Sequence, residues 1–379
     1  MNKLLLLLLV TALSTALFFG CGSDDKEKGA IKIGLLCPLT GPYASEGQDM
    51  KNIVELLAAK VNEKGGVLGR QIEIILGDDG SNARGASIAA QRLATQGVVG
   101  VIGTYGSSNT EATQNTFDES KIIQIANGST SVRLTEKGLK YFLRTCPRDD
   151  SQGVVAYNTL SKMGFNKIAI LHDNSSYAKG LADETKALLE KNGKKIVFYD
   201  ALTPKENDYS TILTKIKRTK PEVVFFTGYY NEAGLLLRQS REMNWKVPFV
   251  GGDATNNKDL IKIAGNKAAE GFTCISPPLP QDLLSKEAKE FMSEFKAKFG
   301  TTPGSIWSIL SGDGFNVLVD AIATKKSTDS DTLVNYLHTE AKDITGLTGK
   351  ISFNKKGDRV GDVYRKYIVD GSGNFQLQP

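Results

Sequence analysis

Hydroxyl-bearing side chains follow two short apolar runs in the first half of the chain. Ser107 and Ser108 come after the run at residues 98–102, and Thr130 comes after the run at residues 122–126. In both places a loop rich in Gly, Ser and Thr precedes a polar stretch that is able to begin a helix. Hydroxyls and free backbone N–H groups at the start of a helix form a ready-made anion site. The two segments therefore predict the capture of a small anionic or zwitterionic ligand.

The two apolar runs are expected to be the strands that position these loops. Short β-branched runs bounded by glycines are typical of interior parallel strands. Because parallel strands need crossover connections, both loops should lie at the carboxyl edge of one sheet, where open α/β sheets bind ligands. The sequence Ser108-Asn-Thr-Glu111 fits a capping box, which predicts the position at which the intervening helix begins.

Strands and helices alternate through most of the chain. A strand is expected at Ile31–Leu36, for example, and helices at Ala83–Thr95 and Tyr177–Asn192. The alternation falls into two series of similar length, and the second series begins after Pro147. Alternation of this kind predicts an α/β fold in which helices cover both faces of parallel sheets, and two series predict two similar lobes.

The first twenty residues are interpreted as a secretory signal peptide. The apolar stretch Leu4–Val10 and the small residue Gly20 fit such a segment. Cys21 directly after Gly20 predicts a bacterial lipoprotein, acylated on Cys21 and lipid-anchored at the cell surface or in the periplasm. Phe18 and Phe19 make the lipobox imperfect, so ordinary cleavage with a soluble product is the alternative. No later stretch is expected to reach the ~20 apolar residues that span a bilayer.

Length and composition limit the remaining function classes. The chain has 379 residues, more than the roughly 250–300 at which single cores stop growing, so two lobes are expected. The formal net charge of +5 is spread over scattered lysines and gives little support to nucleic-acid binding. Cys37, Cys146 and Cys274 lack a metal-ligand spacing, so no metal and no cofactor are expected. Each is expected to be a buried free thiol, although an oxidising compartment permits one disulfide.

A set of short motifs runs almost from Ile31 to the C-terminus in a specific order. The motifs are Ile31-Lys-Ile-Gly-Leu-Leu, Thr40-Gly-Pro, Asn62-Glu-Lys-Gly-Gly-Val-Leu-Gly69, Asp78-Asp79, Gly106-Ser-Ser, Leu143-Arg-Thr, Asp150-Ser-Gln-Gly153, Ile168-Ala-Ile-Leu-His-Asp173 and Ala269-Glu-Gly271. On these motifs the chain resembles the type I periplasmic binding proteins of ABC importers, in the leucine/isoleucine/valine-binding branch.

The resemblance implies two doubly wound parallel-sheet lobes joined by three hinge strands, which close on a ligand between the lobes. The hinge crossings would fall near Pro147, Ser276 and Asn354, and Cys146 and Cys274 would then lie on adjacent hinge strands. The implied segments are a signal peptide (1–20), a charged tether (21–29), lobe 1 (30–147 and 277–353) and lobe 2 (148–276 and 354–379).

The resemblance also implies which residues hold the amino-acid core of a ligand. Ser107 matches the family's carboxylate-binding serine, and Thr130 matches the threonine that serves both carboxylate and ammonium. Gly128 matches the residue whose carbonyl accepts from the ammonium, and Asp253 stands at the position of its acidic partner. From the residues alone, Ser107 and Thr130 could be helix caps, and Asp253 could be a turn residue.

Further positions surround the rest of the implied ligand. Tyr177 and Tyr229 match aromatic residues that cover the ligand on closure, although Tyr230 could take the place of Tyr229. Two departures from the family pattern concern the ligand's side chain. Glu46 stands where the aliphatic-amino-acid binders have an aromatic wall, and Tyr105 replaces a smaller apolar residue. Glu46 in particular argues against a purely aliphatic ligand.

Together the residues and the resemblance predict a monomeric, non-catalytic solute receptor outside the cytoplasm. It would capture an amino acid, branched-chain or related, and pass it to an ABC permease in the inner membrane. Three alternatives stay open: a sensory module that presents its ligand to a membrane partner, an enzyme, and a binder of a carboxylate without an amine, such as an aromatic acid. Asp253 argues against the last, because a buried carboxylate facing an anion is strongly unfavourable.

Overall fold

The computed structural model describes residues 29–361 and 364–379. Its strands are β1 (Ile31–Cys37), β2 (Ile72–Asp78), β3 (Gly100–Ile102), β4 (Ile123–Ala126), β5 (Phe142–Arg144), β6 (Lys167–His172), β7 (Lys195–Ala201), β8 (Val223–Phe226), β9 (Phe249–Gly251), β10 (Thr273–Ser276), β11 (Ile344–Gly346), β12 (Gly349–Ile351), β13 (Arg365–Val369) and β14 (Phe375–Gln378).

The helices alternate with these strands. They are α1 (Ala44–Glu63), α2 (Ala83–Ala94), α3 (Ser107–Glu119), α4 (Arg133–Glu136), α5 (Asp149–Lys162), α6 (Ser176–Lys191), α7 (Ser210–Arg218), α8 (Tyr230–Glu242), α9 (Asp259–Ala264), α10 (Asn266–Ala269), α11 (Lys286–Phe299), α12 (Ile306–Lys325) and α13 (Ser330–Thr339), with short 3₁₀ turns at Asp253–Thr255 and Pro280–Asp282. The predicted strand–helix alternation is therefore confirmed, and β1, α2 and α6 begin and end within one residue of the expected positions.

The first sheet carries the loop of Ser107 and Ser108 and the loop of Thr130. Its strand order is β2-β1-β3-β4-β5, and every neighbouring pair is parallel. Strands β3 and β4 are adjacent, with Gly100 opposite Ile123 and Ile102 opposite Ile125. Both strands are completely buried, as the β-branched runs predicted. The loops that follow β3 and β4 consequently leave the same edge of the sheet.

The second sheet has the order β14-β13-β10-β9-β8-β6-β7. The pairs from β10 to β7 are parallel, whereas β10–β13 and β13–β14 are antiparallel. We call the part of the chain built on the first sheet lobe 1 and the part built on the second sheet lobe 2. Two mainly parallel sheets with helices confirm the predicted fold class.

The chain passes between the two sheets near the predicted crossings. Strand β5 of the first sheet is followed by β6 of the second, and helix α12 returns to lobe 1, where Gly314 packs near Ile102 and Ile125. A third connection runs from β12 to β13, and a buried ion pair joins it to the end of β5, because Arg144 Nε donates to Asp358 Oδ1 at 2.7 Å. The exact residues at which each lobe begins and ends stay a prediction.

Two expectations about individual elements are wrong. Helix α3 begins at Ser107 with Gly106 as its N-cap and without a side-chain cap, so Ser108 does not form the expected capping box. Instead, Ser108 Oγ accepts a hydrogen bond from the backbone N–H of Ser176 in lobe 2, at 2.9 Å. The hydroxyl is thus used by a partner 68 residues away in the chain, which a local pattern does not contain.

Helix α12 corrects the expectation that no later stretch is apolar enough to cross a membrane. An 18-residue window of this 20-residue helix has a mean hydropathy of 1.2, so the helix is long and apolar enough to cross a membrane by length and composition. However, 78% of this window is buried inside the protein, with Trp307, Leu310 and Phe315 among its buried residues. We therefore interpret α12 as a core helix of lobe 1.

The cysteines of the described residues behave as expected for small apolar side chains. Cys37, Cys146 and Cys274 are buried and free. Burial raises the pKa of the Cys146 and Cys274 thiols to about 12, so both stay protonated. The predicted signal peptide, Cys21 and all but the last residue of the predicted tether lie outside the described residues.

Candidate functional site

The loops after β3 and β4 are held together by a chain of buried hydroxyls. Thr104 Oγ1 and Thr110 Oγ1 lie 2.8 Å apart, and Thr110 Oγ1 lies 2.7 Å from Ser129 Oγ. Ser107, the first residue of α3, is fully buried, and its Oγ accepts from the N–H of Ser131 at 3.2 Å. These bonds fix the two loops against each other and place Ser107 beside the segment that carries Thr130.

Thr130 lies in the loop that follows β4. It is fully buried, and its Oγ1 has no hydrogen-bond partner among the described residues. Two residues earlier, Gly128 packs so closely on the preceding loop that a Cβ there would lie 2.7 Å from the carbonyl oxygen of Tyr105. Glycine at position 128 therefore allows the two loops to approach, and Thr130 presents an unpaired hydroxyl beside them.

A buried carboxylate, Asp149, lies beside Thr130, and a second buried carboxylate, Asp253, acts on it electrostatically. Asp149, the first residue of α5, is joined to Thr130 by a backbone hydrogen bond of 3.0 Å. Asp253, in the turn after β9, accepts from the Tyr364 hydroxyl through Oδ2 at 2.9 Å. Within the described part of the chain, neither oxygen of Asp149 has a partner, and neither does Asp253 Oδ1.

The protonation of these two carboxyls follows from their surroundings. Burial, with the charge of Asp253 next, raises the pKa of Asp149 well above its usual range. Burial also raises the pKa of Asp253 to about 7, against the hydrogen bond from Tyr364. The raised pKa values mean that the ligand-free pair retains protons, because burial and mutual repulsion disfavour two charged carboxylates, whereas a bound cation would stabilise their charged forms. The pair is suited to an ammonium group.

Tyrosine rings from both lobes pack over this region. The Tyr229 ring centroid lies 5.5 Å from that of Tyr177, 5.7 Å from that of Tyr105 and 4.7 Å from that of Tyr43. The Tyr177 hydroxyl accepts from the N–H of Ala254, directly after Asp253, at 3.3 Å. The rings thus form an aromatic cover that crosses from lobe 2 to lobe 1.

Tyr230 occupies a different position from Tyr229. Its hydroxyl lies 3.1 Å from Ser45 Oγ and 3.4 Å from the carbonyl oxygen of Pro42, at the start of α1. The alternative in which Tyr230 replaces Tyr229 beside Tyr177 is therefore not supported.

Glu46 lies in the first turn of α1 and is only 1% exposed. Its Oε2 accepts from Ser305 Oγ at 2.7 Å and from Asn257 Nδ2 at 3.1 Å. Its Oε1 and the hydroxyl of Tyr105 have no partner among the described residues. Burial raises the pKa of Glu46 to about 8, and the Glu46 charge helps burial to raise the pKa of the Tyr105 phenol.

The two lobes are in contact across the site. The contacts are hydrogen bonds from Ser176 N to Ser108 Oγ, from Asn231 Nδ2 to the Pro42 oxygen, from Arg133 to Ser176 Oγ and from Asn257 to Glu46. A cavity of about 520 Å³ lies between the lobes and is lined in part by Tyr105, Ser108 and Tyr229. Thr130 and Asp253 are not part of its lining. We interpret this cavity as the mouth of a closed cleft, behind which the unpaired polar groups are enclosed.

Comparison with known proteins identifies the family to which the chain belongs. Residues 30–373 match the model of a family described as periplasmic binding protein. The chain is 33% identical over 372 residues to the Leu/Ile/Val-binding protein homolog 1 of Brucella abortus, covering 97% of this chain and 98% of that protein. The chain belongs to the periplasmic binding protein family. Its members are solute-binding proteins rather than enzymes, which confirms that prediction.

Solved structures of such proteins share the fold. The leucine-binding protein LivK from Thermotoga maritima has a TM-score of 0.84 at 26% identity, covering 92% of this chain and 98% of LivK. The branched-chain amino acid binding protein LivJ from Streptococcus pneumoniae, solved with isoleucine, has a TM-score of 0.82 at 27% identity, covering 92% and 99%. The type I periplasmic binding fold is thereby confirmed.

In this periplasmic binding protein the predicted site residues converge from both lobes. Lobe 1 contributes Glu46, Tyr105, Ser107, Ser108, Gly128 and Thr130, and lobe 2 contributes Tyr177, Tyr229 and Asp253. Ser108 differs from the rest, because its hydroxyl already binds the N–H of Ser176 across the cleft. The contact of each residue with a ligand stays a prediction.

Sequence reasoning missed two residues of the site. Asp149 directly precedes the motif Asp150-Ser-Gln-Gly153, and only the start of α5 decides that Asp149 is buried while Asp150 pairs with Arg148 at the surface. Tyr43 contributes to the aromatic cover through a contact with Tyr229, 186 positions further along the chain. The signal available for Asp149 was its position at the expected crossing near Pro147.

Proposed function

We propose that this protein is the extracytoplasmic solute-binding component of an ABC importer and that it captures an amino acid, branched-chain or related, between its lobes. The observation that carries the proposal is the buried cluster of Thr130, Asp149 and Asp253, each of which has an oxygen without a partner among the described residues. Thr130 directly precedes Ser131, whose N–H bonds to Ser107 at the start of helix α3. The relatives named for leucine, isoleucine and valine support the same class of ligand.

The start of α3 suits the ligand's carboxylate. Ser107 is its first residue, and the first N–H groups of a helix lack acceptors within that helix. The helix spans 13 residues, so its dipole adds a local field that favours an anion at this end. The Thr130 hydroxyl, which is free to donate, completes this set of donors.

The opposite end of the cluster suits the ligand's amine. Asp149 and Asp253 offer three carboxylate oxygens that have no partner among residues 29–361 and 364–379, and Thr130 Oγ1 can accept as well as donate. An ammonium group there relieves the repulsion between two buried carboxylates and satisfies oxygens that otherwise have no partner. A deaminated acid cannot do this, which argues against the aromatic-acid alternative.

Capture then proceeds by closure of the lobes. The carboxylate docks on the loops of lobe 1, and Tyr177, Tyr229 and Asp253 arrive with lobe 2. The bond from Ser176 N to Ser108 Oγ forms only when the lobes meet. Ligand binding therefore shifts the population from open to closed forms, and the closed form is the one that a permease in the inner membrane would recognise.

Isothermal titration calorimetry with the twenty amino acids, and with the deaminated analogue of each ligand found, tests the proposal. We expect at least one amino acid to bind and its deaminated analogue to bind far more weakly. Binding of organic acids without any amino acid would contradict it. Ligand-dependent docking to a permease, rather than to a signalling protein, separates the importer from the sensory alternative.

A further inference from the structure

Glu46 is a buried carboxylate with hydrogen bonds to only one of its two oxygens among the described residues. Its Oε2 accepts from Ser305 and Asn257, whereas Oε1 has no partner among the described residues. Asn257 follows Asp253 by four positions, so Glu46 bonds directly to the segment that supplies the proposed amine site. Glu46 thus lies beside the place where the side chain of a bound amino acid would end.

Two further unpaired groups accompany Glu46. The Ser305 hydroxyl that donates to Glu46 also accepts from the backbone N–H of Trp307 at 3.1 Å, and the buried indole Nε1 of Trp307 has no partner in the described chain. The Tyr105 hydroxyl also has no partner among the described residues, and after burial the charge of Glu46 is the largest cause that raises the pKa of the Tyr105 phenol. Glu46 and Trp307 are therefore joined through Ser305, and Glu46, Trp307 and Tyr105 each bury a polar atom without a partner in the described chain.

A purely structural role for Glu46 explains only part of this arrangement. Ser305 is the N-cap of α12, and a carboxylate near the start of a helix is stabilised by its dipole. That role accounts for Oε2 and not for Oε1. The charged group that acts on Glu46 is Asp49, one turn along α1, which carries the same sign. A buried carboxylate next to a like charge is unfavourable unless a donor or cation pairs with it.

We propose that Glu46, together with the Tyr105 hydroxyl, binds the end of the ligand's side chain and selects amino acids whose side chain ends in a hydrogen-bond donor over those with an aliphatic end. The inference rests on the proposed function, because the captured amine and carboxylate orient the side chain toward Glu46. An aliphatic end would leave Oε1 desolvated and unpaired, which disfavours it by about tenfold or more.

Matched ligands separate side-chain polarity from side-chain shape. Leucine and asparagine have side chains of the same shape, methionine and glutamine have the same length, and norleucine differs from lysine only by the terminal ammonium. Calorimetry on the full exported chain should give at least a tenfold lower Kd for the donor-bearing member of one or more pairs. The variant Glu46→Met should abolish or reverse that preference, whereas the control Asp49→Asn should keep it.

The outcomes distinguish this inference from the proposed function. If alanine or leucine binds and the aliphatic member is equal or tighter in every pair, Glu46 does not select a donor, and the proposed function stands. If Asp49→Asn removes the preference as fully as Glu46→Met, general negative charge explains it and the inference is wrong. If no amino acid binds, the proposed function itself fails. The comparison within pairs uses the unmodified protein, so it holds even if Glu46→Met does not fold.

Discussion

Replacing Asp253 with asparagine tests the proposed amine site most directly. Asp253→Asn keeps the shape of the side chain and the acceptor for the Tyr364 hydroxyl, but it removes the charge that would face an ammonium. Breaking one partner of a buried charge pair costs about 3–5 kcal/mol, and 1.4 kcal/mol corresponds to a tenfold change in Kd. That range corresponds to about a hundred- to several-thousand-fold weaker binding.

The structure places the expected loss at the lower end of that range. Asp149 is also buried, has two unpaired oxygens and would continue to hold the ammonium in the variant. Removing the charge of Asp253 also removes repulsion on Asp149, which lowers the pKa of Asp149 and strengthens its own pairing. We therefore expect Asp253→Asn to raise Kd by about a hundredfold, and Asp149→Asn together with Asp253→Asn to abolish measurable binding.

Calorimetry on two ligands decides whether Asp253 contacts the amine. The tightest amino acid and its deaminated analogue are each titrated into the wild type, Asp253→Asn and the control Asp150→Asn, which changes an exposed carboxylate paired with Arg148. The amino acid should lose about a hundredfold with Asp253→Asn, and the analogue should lose much less or gain. Equal losses for both ligands would refute the reasoning and would favour a ligand without an amine.

Three further predictions concern pH, closure and location. Burial raises the pKa of Asp253 to about 7 and that of Glu46 to about 8. Above about pH 4 the native ligand-free protein therefore binds more protons than the unfolded chain. Its free energy of unfolding should consequently fall by a few kcal/mol between pH 4 and 8. Urea unfolding at several pH values measures this fall, and an equally steep slope in Asp253→Asn would contradict it. Tyr229→Ala removes three contacts between aromatic rings, and a contact of this kind contributes about 0.5–1.5 kcal/mol. The ligand's off-rate, measured by stopped-flow fluorescence, should therefore rise about tenfold or more. The control Tyr230→Phe should change the off-rate little. Cys21→Ser should move the protein from the membrane fraction to the soluble fraction, and a wild type without an acyl group by mass spectrometry would disprove the lipid anchor.

The fold could be predicted from sequence wherever local pattern and burial agree. The apolar segments that form β3 and β4 are short, rich in β-branched residues and bounded by glycines. This pattern is typical of interior parallel strands. The positions of Ser107 and Thr130 at one edge follow from this alone, since parallel strands end at the same side of a sheet. For the same reason, the sequence alone predicts that the two loops contribute to one binding site.

The parts that could not be predicted depend on contacts between distant segments. Ser108 fits a helix-capping pattern, yet its hydroxyl binds the N–H of Ser176, because a partner from the other lobe competes with the local one. Asp149 and Asp150 are neighbours with the same chemistry, and only the direction of α5 buries the first. Such outcomes are fixed by lobe closure and helix orientation, which the periodicity of a single segment does not encode.

The buried carboxylates also explain why closure should depend on the ligand. In the closed arrangement Glu46, Asp149 and Asp253 each keep at least one oxygen without a partner in the part of the chain that the structure describes. Leaving a buried polar group unsatisfied costs about 1–3 kcal/mol, or more when the group is charged. The tyrosine cover and the few hydrogen bonds between the lobes have to offset that cost when no ligand is bound. A ligand with an ammonium and a donor-bearing side chain removes the cost, whereas one without these groups retains it. Selectivity and closure are therefore set by the same unpaired oxygens, so a substitution that neutralises them should allow the empty protein to close more readily while it weakens the discrimination between ligands.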